Sequence, residues 1–533
     1  MARTPLARLF ARSFAIARAA TAQGMPLAEA LERADAQRAA RRRFLQQSAA
    51  AAGALAVASC ARVAPRPQDG DDVVVVGAGI AGLAAAWRLR EAGVSVSVIE
   101  AQNRCGGRML SLRDHFADGQ VCELGGELVD TGHVRMHALA AELGLAFDDL
   151  TGAETPGLAD GWYFDGALRS EHDVLQAFAP VAALIARDQA VIGDGDIDGS
   201  SSAAVRELDR ASLAQWFDRN GVGGWLRRLL DVAYTTEMGL ECDQQSALNL
   251  LTFIDASTEK FRLFGDSDER FHVRGGNDLV TTRLAGKLGD AIETGTVLEA
   301  LSRGADGRYV LSLRRGSASI QRRAAQVVLA MPFTTLRQVR IGVDLPAAKR
   351  DAIARLRYGT NAKLMIGVER RVWRERYGSN GSLMCDLGVQ TTWETSRQQA
   401  GAAGILTNFT GGRHGLDIGE GTPKHQADLA SVQLDRVFPG FAAARGAARE
   451  ARFHWPSHPW TQGSYACFTP GDWTGLREHI AGNVDNVFFA GEHCSPDNQG
   501  FMEGGLESGE NVAAQILAQR GKALAPLRRR LVA

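Results

Sequence analysis

The sequence predicts an α/β protein in which a parallel-sheet domain is interleaved with a second, α+β domain. Three observations support this. A glycine turn follows a valine strand near residue 77, a second glycine-rich segment stands near residue 491, and the stretch between them alternates strand-like and helix-like patterning.

The first segment reads Asp72-Val-Val-Val-Val-Gly77-Ala-Gly79-Ile-Ala81-Gly82, followed by a helical stretch and then Val94-Ser-Val-Ser-Val-Ile-Glu100. Four consecutive valines suit a strand buried on both faces, as central parallel strands are. Gly77 permits the tight turn, Gly79 lets the backbone approach a pyrophosphate, and Gly82 lets the helix pack closely on the strand. The helix N-terminus, with Ala81 in its first turn, offers free N–H groups and a positive dipole end to phosphates. Glu100 stands at the tip of the next strand, where a carboxylate can take both hydroxyls of an adenosine ribose. An acid there disfavours a 2′-phosphate, which argues against NADP.

That strand end continues into Glu100-Ala101-Gln-Asn-Arg104-Cys-Gly106-Gly107-Arg108, a second glycine turn flanked by arginines. Glu123-Leu-Gly-Gly126-Glu127-Leu-Val, Phe271-His-Val-Arg-Gly-Gly276, Ile292-Glu-Thr-Gly-Thr-Val297 and Val327-Val-Leu-Ala-Met-Pro332 follow. Trp460-Thr-Gln-Gly-Ser464-Tyr465, Val487-Phe-Phe-Ala-Gly491-Glu492-His493 and Gly500-Phe501-Met502-Glu complete the series. On these motifs, in this order, the chain from about 72 to 518 resembles the flavin-containing monoamine oxidase family, within the superfamily of FAD-dependent amine and L-amino-acid oxidases.

The resemblance implies the amine oxidase fold. A Rossmann-like FAD-binding domain would take residues 71–137, 268–334 and 459–520, and an α+β substrate domain 138–267 and 335–458. Residues 1–70 read as a leader and 521–533 as a tail. FAD contacts are expected from Gly77, Gly79, Ala81, Gly82, Glu100, Ala101, Arg104, Gly107, Arg108, Gly126, Glu127, Val297, Gly491, Glu492 and Met502.

At 533 residues, two intertwined domains are the natural prior. A net charge of −1 supplies no basic field for nucleic acid, so no such partner is expected. Seven cysteines, at 60, 105, 122, 242, 385, 467 and 494, form no Cys-x-x-Cys and no zinc spacing. Mostly free thiols and no metal are expected.

In the leader, Arg41-Arg42-Arg43-Phe44-Leu45-Gln46 matches the twin-arginine export pattern. The Ala-rich stretch behind it is too weakly apolar for a good membrane span and reads as a cleavable signal. Val57-Ala58-Ser59-Cys60 also has the form of a lipobox. The expected location is the periplasm, with membrane contact only through a lipid on Cys60; simple cleavage after Ala58 is the alternative.

The stretch 138–267 reads as mainly helical, with apolar residues at helical spacing in Arg135–Leu143, Val174–Ile192, Ser212–Asn220 and Gly224–Tyr234. The stretch 335–458 mixes strands at Ala362–Val368 and Gly404–Thr410 with a helix near 424–437.

For chemistry, the resemblance implies that an amine gives a hydride from its Cα to flavin N5, the imine hydrolyses, and O2 leaves as H2O2. Tyr465 and Phe501 correspond to the two walls of the family's aromatic cage, whose π-faces orient the substrate nitrogen. A second Tyr is commoner where Phe501 stands. Trp460 opens the same segment as Tyr465. Lys363, in Tyr358-Gly-Thr-Asn-Ala-Lys363, matches the family lysine that reaches the flavin through a water.

Two departures matter. Mammalian monoamine oxidases attach FAD through a Cys just before the cage Tyr; Ser464 stands here and Cys467 lies beyond Tyr465, so noncovalent FAD is expected. L-amino-acid oxidases carry an Arg shortly after the flavin-edge glycines, whereas this chain reads Gly125-Gly126-Glu127-Leu128. An acid there suits a cation, which favours an amine, with Arg135 or an arginine from the insertions as an alternative grip for a carboxylate. The expected activity is that of an amine oxidase acting on a small-molecule amine and O2. The rivals are an L-amino-acid oxidase, a desaturase of flat lipophilic substrates, and a non-catalytic, lipid-anchored flavoprotein.

Overall fold

A computed structural model of the chain describes residues 71–151 and 158–524. The twin-arginine segment, Cys60 and residues 525–533 of the expected tail lie outside the described residues.

The valine strand, Asp71–Val76, lies inside an eight-stranded sheet. It runs parallel to Val96–Ile99 on one side and to the second half of Ala318–Leu329 on the other, with Val74 opposite both Ser97 and Val327. Alternation sends Val73 and Val75 to one core and Val74 and Val76 to another, so both faces are covered by apolar side chains. The long Ala318–Leu329 strand has two neighbours along its other edge. Its first half pairs antiparallel with Tyr309–Arg315, and its end pairs parallel with Val487–Phe489.

Helices Ile80–Glu91, Asp278–Leu288 and Met502–Gln519 contribute to one core against this sheet. Val134–Glu142 joins them through Met136 and Leu139. The boundary expected at 137 therefore cuts a helix that belongs with the sheet, and the chain stays on this core through Leu143, Leu145 and Phe147. Met502–Gln519 lies close on Ile80–Glu91 because two of its residues have no side chain. A Cβ on Gly509 would stand 2.1 Å from Ala81 O, and one on Gly505 2.7 Å from Ile80 Cγ2.

A second, seven-stranded sheet has the order Glu450–His454, Ala362–Val368, Gly404–Thr410, Thr391–Glu394, Ser379–Cys385, Ala159–Phe164, Ala167–Arg169. The strands expected at 362–368 and 404–410 are present with those bounds and pair antiparallel, Lys363 opposite Phe409. Helices Glu171–Ile192, Ala203–Arg210, Leu213–Arg219 and Gly224–Met238 follow the last two strands of that order. The first insertion is thus helical only after a hairpin. Asp165 and Gly166, at φ +54° and +70°, form the turn of that hairpin and deliver its strands to the second sheet. Segments of the two sheets alternate along the chain, which makes the α/β fold an interleaved one.

Candidate active site

The first glycine turn meets steric requirements that no other residue satisfies. Gly77 has φ +106°, and a Cβ there would stand 2.3 Å from Ala330 O; one on Gly82 would stand 1.9 Å from Gly77 O. Gly79 differs, having only Gly107 Cα at 4.0 Å. The two glycine turns face each other and are joined by a bridge between Gly79 and Gly106. Bare backbone therefore lines the start of the Ile80–Glu91 helix, with Ala81 in its first turn, where N–H groups lack helical acceptors.

The ribose end is equally ordered. Glu100 is buried; Oε2 accepts from Ala78 N at 2.7 Å and Oε1 from Gln102 N at 2.8 Å, next to Ala101. Burial, against these two bonds, raises its pKa. Each oxygen keeps a second lone pair for a hydroxyl. Arg104 donates to Gly107 O at 2.7 Å and so shapes the second turn. Thr296 N donates to Glu100 O at 2.9 Å, which sets Val297 beside this end. The cradle fits a dinucleotide with its phosphates on Gly79–Gly82 and Gly107.

Glu492 ties the distant segments together. Its Oε1 accepts from Arg108 at 2.8 Å and from Ala466 N at 3.3 Å, and its Oε2 accepts from Gly500 N at 3.0 Å. Arg108 also donates to Ser464 O at 2.6 Å. Gly491 precedes this clamp at φ +144°. At the loop expected to meet the flavin edge, Gly126 packs against Met502, since a Cβ there would lie 2.9 Å from Met502 Cγ and the methionine would have to shift.

Glu127 and Lys363 differ from expectation. Lys363 Nζ donates to Glu127 Oε2 at 2.7 Å, Gly125 O at 2.8 Å and Glu123 O at 3.3 Å. Three acceptors thus surround its ammonium group. Glu127 Oε1 accepts from Trp393 Nε1 at 2.9 Å and Thr395 Oγ1 at 2.8 Å. Burial raises the Glu127 pKa, but the charge and hydrogen bond of Lys363, helped by Trp393, outweigh it and leave it lowered. Glu127 is thus the buried counter-ion of Lys363, and its side-chain charge is cancelled. The argument that a free acid there favours a cationic substrate falls with it.

Tyr465 donates to Thr236 O at 3.2 Å, which fixes the phenol. Phe501, just before the Met502–Gln519 helix, rests its ring 5.1 Å from that of His133. Among the described residues, Tyr465 and Phe501 make no ring contact with each other. Ser464 Oγ donates to Asn361 Oδ1 at 2.6 Å, within the protein.

Trp460 is half-buried, and its N–H lies 3.4 Å from His458 Nδ1. The tryptophan at the expected edge is instead Trp455, whose Nε1 donates to Leu124 O at 2.9 Å and whose ring would lie 3.2 Å from a Gly125 Cβ. Sequence reasoning also missed Trp393 and Asn361, which carry no motif. Arg135 is no carboxylate grip, because Glu510 holds it at 2.7 Å.

Comparison with known proteins agrees with this geometry. The model of the flavin containing amine oxidoreductase family matches residues 80–517. An L-amino acid dehydrogenase of Synechocystis sp. is 28% identical over 86% of this chain and 97% of its own length. Flavin-containing amine oxidase A of Sus scrofa is 25% identical over 85% of this chain and 86% of its own. The structure of cyclohexylamine oxidase from Brevibacterium oxydans superposes with TM-score 0.73 at 24% identity, covering 85% of this chain and all of that one. The Gly79–Gly107 cradle and the interleaved sheets fit the cofactor that this similarity implies, FAD, and the chain, an oxidoreductase, belongs to the flavin-containing amine oxidoreductase family.

Proposed function

We propose that the protein oxidises the C–N bond of an amine to an imine, which hydrolyses to an aldehyde and ammonia or an amine. FAD, held noncovalently, supplies the chemistry by accepting the electrons, which O2 then removes as H2O2. The observation that carries this reading is Tyr465. Its phenol is pinned to Thr236 O, and its segment is tied through Glu492 to Arg108 and Gly500. A ring fixed in that way can orient a substrate nitrogen without an acid or base of its own.

Mixing the purified yellow protein, without oxygen, with panels of amines and L-amino acids tests this reading. Bleaching by amines is expected, and bleaching by neither class leaves a non-catalytic flavoprotein. Acid precipitation of the same preparation should release FAD into the supernatant, because Ser464 offers no thiol for a link.

Oxidation of an L-amino acid is the second reading. It is favoured by Arg397, an insertion arginine whose charge reaches Glu269 near the Glu127–Lys363 pair, and by the similarity to the Synechocystis protein. We also propose export by the twin-arginine route to the periplasm, with or without a lipid on Cys60. Arg41→Lys with Arg42→Lys should then retain the protein in the cytoplasm, and unchanged export would refute it.

A further inference from the structure

The hydrogen bond that pins Tyr465 is one side of a closed circuit, and Asn361 is the residue that closes it. Thr236 lies in the last turn of the Gly224–Met238 helix, where carbonyls have no helical donor. Two side chains take its oxygen instead, the Tyr465 hydroxyl at 3.2 Å and Asn361 Nδ2 at 2.7 Å. A carbonyl oxygen has two lone pairs, so it holds both donors at once. At the other end of the amide, Asn361 Oδ1 accepts from Ser464 Oγ at 2.6 Å, and Ser464 is the chain neighbour of Tyr465. The circuit thus runs from the phenol to Thr236 O, through the amide to Ser464, and back along the chain to the same tyrosine.

The orientation of the amide follows from its partners. Thr236 O can only accept, so the NH2 group faces it, and the oxygen is left for the Ser464 hydroxyl, which can donate. Asn361 is buried, just before the Ala362–Val368 strand, and its surroundings are shaped to it. A Cβ on Gly239 would stand 2.2 Å from Asn361 Oδ1, one on Gly359 2.8 Å from the same atom, and one on Gly411 3.1 Å from Nδ2. The backbone repeats the connection. Thr360 N donates to Gly239 O at 2.8 Å, Ser464 N to Gly359 O at 2.9 Å and Gly359 N to Tyr465 O at 2.8 Å.

We propose that Asn361 is a positioning residue that fixes the plane of the Tyr465 ring. The proposal rests on the reading in which Tyr465 orients the substrate nitrogen. Backbone bonds hold the root of this side chain, and the hydroxyl bond holds its tip. The tip is only as fixed as Thr236 O, which belongs to a helix end, the part of a helix that frays. Asn361 ties that oxygen to the Tyr465 segment through one planar amide, so root and tip keep their separation. The reaction is sensitive to such an error, since a displacement of about 1 Å costs on the order of 100-fold in rate.

The experiment follows both half-reactions of the FAD-loaded full chain by stopped flow, with rates taken per bound FAD. It compares Asn361→Leu, Ser464→Ala, Tyr465→Phe and the two double variants that contain Tyr465→Phe, on butylamine, benzylamine and L-leucine. Asn361→Leu should slow the limiting rate of anaerobic reduction by about tenfold or more while leaving substrate Kd within about threefold. Reoxidation by O2 should stay within about twofold. Ser464→Ala opens the same circuit at its other end, should act in the same sense, and decides the matter alone if Asn361→Leu does not fold. Tyr465→Phe has no hydroxyl to hold, so in that background either substitution should cost less than about twofold. The full loss in that background, equal slowing of both half-reactions, or single variants that reduce as fast as the parent overturn the proposal. If none of the three compounds bleaches the unaltered protein, it is the amine-oxidising reading that fails. Asn361 is then decided without substrate, by labelling the six tyrosines as 3-fluorotyrosine. Asn361→Leu should shift or broaden the 19F signal that Tyr465→Phe removes, and an unmoved signal overturns the proposal.

Discussion

The Lys363–Glu127 pair shows how a residue can be recognised and its role still be misplaced. The alternation around Lys363 reads correctly as an inward direction. Nothing in the run Gly125-Gly126-Glu127 says that the carboxylate turns towards a strand more than 200 residues later, because ion pairing across domains leaves no periodic trace. Removing one partner of such a pair strands the other in the interior. Lys363→Met should cost on the order of 3–5 kcal/mol of stability. Lys363→Met with Glu127→Gln should recover most of that loss, since a neutral amide still accepts from Trp393 and Thr395. Urea unfolding of the parent, both single variants and the double variant measures the coupling; additive losses would show that the pair does not act as a unit. Trp455 was missed for a similar reason. It lies close before Trp460 in a Pro-rich stretch, and only the bond to Leu124 O tells the two apart.

At the scale of elements, glycine in a helix has opposite consequences according to the space beside it. Gly509 belongs to the Met502–Gln519 helix and meets Ala81 O at 2.1 Å from any added Cβ. Gly509→Ala should destabilise by about 1–3 kcal/mol through overpacking. It should also weaken FAD retention, because the helix it would push lies against the phosphate turn. Gly286, inside Asp278–Leu288, has nothing within 4 Å of its Cβ position. Gly286→Ala should stabilise by about 0.5–1 kcal/mol. Thermal unfolding and equilibrium dialysis of FAD measure both; the same sign for the two substitutions would contradict the packing described. The helices Val134–Glu142, Glu171–Ile192, Leu213–Arg219 and Gly224–Met238 and the two longer strands were legible from their apolar periodicity, whereas Ala203–Arg210 was not. The Ala159–Arg169 hairpin was not, even though Asp165-Gly166 is a turn signal, because its strands are short and alternate poorly. Glu450–His454 reads as mixed polarity for a related reason, being an edge strand half-buried at every position.

For the whole molecule, the order of motifs made the interleaved architecture legible, and the buried charges were the part that stayed hidden. His493 is one of these. It is enclosed, its ring 4.6 Å from that of Phe333, and both ring nitrogens lack partners among the described residues. Burial first, then the charges of Arg108 and Lys349, lower its pKa to about 3. An unfolded chain protonates this ring near pH 6.5, well before the folded chain can. The stability it contributes above about pH 6.5 is therefore lost progressively as pH falls towards 3. Glu269 and Glu503, both raised by burial to about 7, act in the opposite sense. Comparison with His493→Phe isolates the histidine, because those acids are common to both proteins. The variant should keep on the order of 1–2 kcal/mol more of its stability near pH 5. Parallel decline of the two unfolding temperatures between neutral pH and pH 5 would remove His493 from the account.

The pairing of Ala318–Leu329 with strands from both ends of the described chain sets an order of events during synthesis. Once Leu329 has left the ribosome, most of the first sheet can assemble. Its parallel edge stays open until Val487–Phe489 emerges, and Arg108 lacks its counter-charge until Glu492 follows. A nascent chain cannot complete the nucleotide cradle early, and until then it carries a valine-rich edge to which another strand could add. Release of the last segment, capture of the nucleotide and removal of that adhesive edge are consequently one late step, and a chain interrupted before residue 487 would aggregate without ever holding its cofactor.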